Sequence, residues 1–341
     1  MINLKFAVGY QLKKNDTFID MICENSDKIY EMYFSMPGFS NGRNSKNIEL
    51  SLTDYEYQSL LEKDLHRFSQ NNIALNLLLN AECYGKYAQS RVFFNKIGDT
   101  VDYLVLHYNL KLVTTTSPLI AKFLKQNFSD IDVRASVNMG IGTTEGLNYI
   151  AEYFDSFYAK RECNRDFKQL KKLRSWCDNN GKKLYGLANS GCLNYCSAHT
   201  FHDNLVAHEN EIAEMDNAYQ FEGQCRIFLK DIGNREKWFS ISNFIRPEDI
   251  HLYDDFFDGI KLATRVNKNP ERVFEAYIKG SYNGNLPELM EPDHSALFYP
   301  NVVDNKRIPK DFAVKRATCD KNCETCGYCK KVLSDSLICL E

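Results

Sequence analysis

Nothing in this sequence of 341 residues marks it for a membrane or gives it one dominant sign of charge. It has no run of about 18 apolar residues, the length a spanning helix needs. The opening stretch MINLKFAVGYQLKKND is a strand-like run, not a basic region followed by a long apolar one, so no signal peptide is read and a cytoplasmic location is expected. With 42 basic against 45 acidic residues and a net charge of −3, the global positive excess that would point to nucleic acid is missing, although a local patch is still allowed. No GxGxxG or Walker-type segment follows a strand-like run, which argues against a doubly wound nucleotide-binding sheet. No repeat of solenoid period is found. No Ser–His–Asp or Cys–His spacing supports a protease by itself.

What the chain does have is cysteine, twelve in all, together with 22 Phe and 20 Tyr. Aromatic residues bury large areas and are expected in the core and at subunit contacts. In a reducing compartment clustered cysteines signal metal more often than disulfides. An apolar fraction of 44% is ordinary for a globular chain.

Short apolar runs alternate with longer amphipathic ones. Strands are expected at Lys5–Tyr10, Lys28–Phe34, Ile73–Leu79, Tyr103–His107, Lys111–Thr115, Asp132–Ser136, Ser156–Ala159, Lys183–Leu187, Lys237–Ile241 and Gly259–Ala263. Runs such as IALNLLL and DYLVLHY lack polar alternation, as parallel strands buried on both faces do. Helices are expected over Leu52–Asn71, with Thr53 and Glu56 as a capping box, and over Ser117–Asn127, Thr144–Phe154, Asp166–Asn179 and Asn269–Gly280, the last with Pro270 in its first turn. About eight strand–helix units predict an α/β fold, a (β/α)8 TIM-like barrel over residues 1–285. Residues 286–341 form a C-terminal extension that ends in a cysteine-rich tail.

The tail reads CDKNCETCGYC and holds Cys319, Cys323, Cys326 and Cys329. Four thiols within one short loop suit a single metal centre, independent of the barrel. The Cys-x2-Cys-x2-Cys run favours an iron–sulfur cubane, with structural zinc as the alternative. The first three also match the Cys-x3-Cys-x2-Cys spacing of radical S-adenosylmethionine enzymes, but here the motif follows the barrel and not its first strand. A second group, NSGCLNYCSAHTFH, follows the strand-like KKLYGL and so falls on the C-terminal face of a barrel. It offers Cys192, Cys196, His199 and His202, with Cys225 in a later loop. These could complete a zinc tetrahedron or hold a cluster with one non-cysteine ligand. The remaining Cys23, Cys83, Cys163, Cys177 and Cys339 read as small core residues.

With these residues in view, the chain resembles the collagenase-like peptidase family U32, whose members are TIM-like barrels. The segments that carry the likeness are VRASVNMGIGTTEGLNYI, YAKRECNRDFKQLKKL, KKLYGLANSGCLNYC, FEGQCR and ISNFIRPEDIHLYDDFFDGIKLATRVNKNPERV, in that order. The resemblance implies a [4Fe–4S] cluster on rim cysteines and an oxygen-independent redox or hydroxylation step on a small metabolite or an RNA base. Its Cys-x3-Cys at Cys192 and Cys196 is most like that of the anaerobic ubiquinone-hydroxylation members. Where the family has a further cysteine this chain has His251, which becomes the first expected fourth ligand beside Cys192, Cys196 and Cys225, with His199 and His202 next. Where the family has a rim glutamate it has Ala263, and FSMPGFSNGR supplies no cysteine after the second strand. The alternatives are a metal-stabilised scaffold or binding protein without catalysis, and a peptidase on the family name alone.

Glu31, Arg134, Asn138, Arg161, Glu162 and Arg265 fall at expected strand ends. Arg134, Arg161 and Arg265 would suit a carboxylate or phosphate, because guanidinium groups bind both in bidentate fashion. With Glu162 they are the expected catalytic or substrate-binding set, and rim salt bridges are the competing explanation. The expected partners are an anionic small molecule or RNA, with an electron donor or partner subunit and no membrane.

Overall fold

The computed structural model describes residues 3–42 and 52–340; the expectations on residues 1–2, Arg43 and Glu341 lie outside them. Eight parallel strands close into a barrel: β1 (Phe6–Gly9), β2 (Ile29–Phe34), β3 (Ala74–Leu79), β4 (Leu112–Thr115), β5 (Asp132–Ala135), β6 (Ser156–Tyr158), β7 (Lys183–Leu187) and β8 (Gly259–Leu262). Closure is made by β1 against β8, with Phe6 opposite Ile260 and Val8 opposite Leu262. Strand side chains alternate between two surroundings. Phe6, Val8, Met32 and Phe34 face outward and join the main apolar core beneath the helices. Ala7, Tyr33 and Leu78 form a small separate cluster, as do Tyr158, Tyr185 and Leu187.

Local signals account for the helices. Thr53 and Glu56 make the expected reciprocal cap at the start of Asp54–Gln70. Ser117 caps Pro118–Asn127, whose first residue is the proline. Two expected strands are corrected. Tyr103–His107 lies within the helix Arg91–Tyr108, and Lys237–Ile241 overlaps the helical turn Trp238–Ile241. The run DYLVLHY is apolar throughout, but only Leu104 is fully buried while Leu106 is 79% exposed. Helix and buried strand are indistinguishable from such a run by periodicity.

The tail is not an appendage. Its β10 (Leu337–Cys339) pairs antiparallel with β9 (Asn301–Val303), and Val332 and Leu333 belong to the same apolar core as the barrel helices. The Phe312 ring packs tilted against Phe239, with ring centres 4.9 Å apart. The extension thus packs on the barrel. No helix among the described residues is long and apolar enough to cross a membrane.

Candidate functional site

The barrel interior carries polar side chains in layers. Glu31 on β2 and Arg134 on β5 are both fully buried, with Arg134 Nη1 2.6 Å from Glu31 Oε2. Asn76 donates to Glu31 Oε1 at 2.8 Å, and Arg134 Nε donates to Ser156 Oγ at 3.0 Å. The guanidinium also stacks 3.8 Å from the Tyr185 ring centre. Arg134 thus sits in the wall of the barrel one layer below the mouth, and its charge is met by Glu31.

Above it opens a small cavity of about 60 Å3, walled by Lys261, Arg161, Arg265, Glu291, Asn80, Asn138 and Cys192 among others. Arg161 Nη2 donates to Asn138 Oδ1 at 2.9 Å, and Nη1 meets His199 Nε2. Arg265 Nη2 donates to Ser35 Oγ and Asn41 Oδ1, both at 2.9 Å. Glu162 is turned elsewhere: its Oε1 accepts from the Tyr195 backbone N–H at 3.1 Å and so steadies the cysteine loop.

Lys261 was not among the sequence candidates. Its Nζ lies 3.9 Å from the Tyr33 ring centre, inside the mouth. Burial, then the neighbouring Arg265, push its ammonium down to about 7. Glu82, just after β3, was missed too; burial and the Asp203 carboxylate push it up to about 7. A lysine in the middle of the apolar strand GIKL was the available signal for the first. Glu82 had none, because Asp203 is distant in sequence.

Beside the mouth lies a larger cavity of about 810 Å3, reached by Cys192, Cys196, Cys225, His199 and His202. The Cys225 thiol is pushed up to about 11, first by burial and then by Cys192 and Cys196, as expected of neighbouring sulfurs. His251 does not join them. It is exposed, with Nδ1 2.9 Å from the Glu248 carbonyl, and it does not line that cavity. The tail thiols Cys319, Cys323, Cys326 and Cys329 line a third cavity, of about 220 Å3. All twelve cysteines are free. Among the described residues no three His, Cys, Asp or Glu side chains already stand in a metal-binding arrangement.

A further grouping escaped sequence reading. His208 hydrogen-bonds the Cys83 thiol and lowers its pKa, while Gly85 N–H donates to Cys83 Sγ at 3.3 Å. His208 Nδ1 is 3.1 Å from Glu211 Oε2. The Cys83 loop thus brings a thiol to an imidazole and carboxylate that are three residues apart on a remote segment of the chain.

No family model matches the chain. A curated relative, an uncharacterized protease of Methanocaldococcus jannaschii, is 24% identical over 317 residues, covering 90% of this chain and 89% of that one. A solved U32 peptidase structure aligns with 76% of this chain and 92% of its own, at 12% identity and a TM-score of 0.54. A glycerophosphodiester phosphodiesterase from Parabacteroides distasonis aligns with 55% of this chain and 84% of its own, at 14% identity and a TM-score of 0.37, too low to carry an argument. The U32 likeness read from the sequence is borne out: this chain is a (β/α)8 barrel with the U32 peptidase fold.

Proposed function

We propose that the barrel mouth binds an anionic small molecule or an RNA base, and that Cys192, Cys196 and Cys225 hold an iron–sulfur cluster beside it for an oxygen-independent redox or hydroxylation step. The observation that carries this reading is that Cys192 belongs to both walls: it lines the polar mouth and the cysteine cavity at once. The donor set fits such a group, since three thiols share one cavity and His199 and His202 offer nitrogen ligands in the same wall. A bound cluster supplies one-electron transfer. The chain's own residues do the rest. Arg161 and Arg265 present guanidiniums suited to a carboxylate or phosphate. Lys261, which lines the mouth and is poised near neutrality, can hold or release a proton at Nζ.

Anaerobic purification with quantification of iron, sulfide and zinc tests the reading on wild type and Cys192→Ser. Iron and sulfide that fall in the variant support it. Colourless protein with stoichiometric zinc favours the metal-stabilised scaffold. Binding of anionic metabolites that ignores both salt and Arg161→Ala removes the substrate half.

One observation favours a second reading. Cys83, His208 and Glu211 form a nucleophile–base–orienting sequence of the kind that activates a thiol for acyl transfer, and the curated relative bears the name protease. Peptide hydrolysis abolished by Cys83→Ala would make this reading the better one.

A further inference from the structure

The four tail cysteines lie apart from the mouth, and the proposed function makes no use of them. Cys319 follows the helix Phe312–Thr318, Cys323 and Cys326 bound a single helical turn, and Cys329 enters the helix Tyr328–Ser336. Gly327, at φ +63°, reverses the chain between the last two. All four thiols line one cavity of about 220 Å3.

The charge around that cavity is one-sided. Its wall includes Arg165, Lys237, Lys315, Arg316, Lys321 and Lys330, against the carboxylates Asp320 and Glu324. Three of the lysines have carboxylate partners elsewhere: Lys315 pairs with Asp311, Lys321 with Asp166 and Lys330 with Glu236. The two arginines do not. Arg165 and Arg316 are 5% and 4% exposed, and neither forms an ion pair with a carboxylate among the described residues. Each donates instead to a backbone carbonyl, Arg165 to Ser240 and Arg316 to Ser242, and the Nε of each is buried with no hydrogen-bond partner. Two buried guanidiniums without a counter-charge are costly, because desolvation is not repaid.

We propose that Cys319, Cys323, Cys326 and Cys329 bind a thiophilic metal as a tetrathiolate centre, and that the buried Arg165 and Arg316 are its counter-charge. Four thiolates around zinc(II), or around a [4Fe–4S] core in its common oxidised state, leave two negative charges. Two guanidiniums balance them. Cys319, Cys323 and Cys326 are exposed, so their side chains can turn onto a metal without repacking the core. The tail cavity also borders the segment that carries the mouth cysteines. The Ser240 carbonyl that accepts from Arg165 lies 3.5 Å from Asn194 Nδ2, and Asn194 sits between Cys192 and Cys196.

The test uses the full-length chain under anaerobic conditions, first with cobalt(II) alone and then with ferrous iron and sulfide. The Cys192→Ser/Cys196→Ser/Cys225→Ser variant removes all three cysteines of the cavity beside the mouth, so what remains reports the tail. Tetrahedral thiolate–cobalt bands in that variant, displaced by zinc, support a zinc-type tetrathiolate. A brown cluster formed from iron and sulfide supports the cubane. Cys323→Ser/Cys326→Ser, at exposed positions, loses either signal while the mouth site keeps its own. If that variant binds as much cobalt and as much iron as wild type, the tail site is overturned. Arg165→Met and Arg316→Met weaken tail affinity by about 10–100-fold, the usual cost of removing an outer partner, and Arg316→Lys restores part of it. Unchanged affinity in both Met variants overturns the counter-charge.

Discussion

Lys261→Met is expected to make the protein more stable, and by an amount that depends on pH. In the fold the Lys261 ammonium is buried among Tyr33, Tyr158 and Arg265, and its pKa falls from 10.5 to about 7. Below about pH 7 the lysine is charged in both the folded and unfolded states, and the fold bears the whole desolvation cost. At ~1.4 kcal/mol per pH unit this is on the order of 5 kcal/mol near pH 6. Between pH 7 and 10.5 only the unfolded chain keeps the proton. The unfolded state then binds more protons than the folded one, so wild-type stability rises with pH and the cost shrinks, to roughly 2 kcal/mol at pH 9. Methionine retains the apolar stem but carries no charge to bury. Its advantage in urea unfolding should therefore be several kcal/mol at pH 6 and less than half that at pH 9. A variant that is destabilised at pH 6, or whose advantage is flat from pH 6 to 9, would refute the reasoning. A chain that keeps such a lysine bears its cost at the mouth, where the proposed function gives the amine a use.

The barrel was legible because its strands are short, apolar and bounded by capped helices. Thr53 with Glu56 and Ser117 with Pro118 announce where helices begin, and IALNLLL has no reading but a buried element. DYLVLHY was misread because hydrophobicity without periodicity does not separate a strand from a helix that exposes Leu106. The mouth was only partly legible. Arg161 and Arg265 reach it as expected, since residues just past strand ends do so in any such barrel. Arg134 does not, because side-chain parity on β5 turns it inward, one layer down, onto Glu31. His251 was assigned by analogy to a cysteine position, and the 3-10 turn Pro247–Tyr253 carries it to the outside instead. Cys83 with His208, and Glu82 with Asp203, are pairings between remote loops, which no local pattern records.

Further outcomes follow from buried charge and thiol environment. Arg134→Met leaves the Glu31 carboxylate buried alone and should cost about 3–5 kcal/mol in chemical denaturation; Glu31→Gln in the same chain should recover part of it, and an unchanged midpoint in the single variant would contradict the ion pair. Glu82→Gln should stabilise by on the order of 1–2 kcal/mol after solvent screening. Because the folded carboxyl is raised above 4.5, that gain should be absent below pH 4.5, grow to about pH 7 and then level off, and a gain at pH 4 would contradict the assignment. Cys83 should be alkylated by iodoacetamide near neutral pH faster than Cys163 or Cys177, whose thiols burial pushes up to about 12. The cause of the lowered thiol is the His208 hydrogen bond first and the Gly85 N–H second, so His208→Ala should slow Cys83 modification more than any change at the glycine. Equal modification rates in wild type and His208→Ala, followed by mass spectrometry of the Cys83 peptide, would mean that the thiol gains nothing from the imidazole, and the acyl-transfer reading would lose its only structural support.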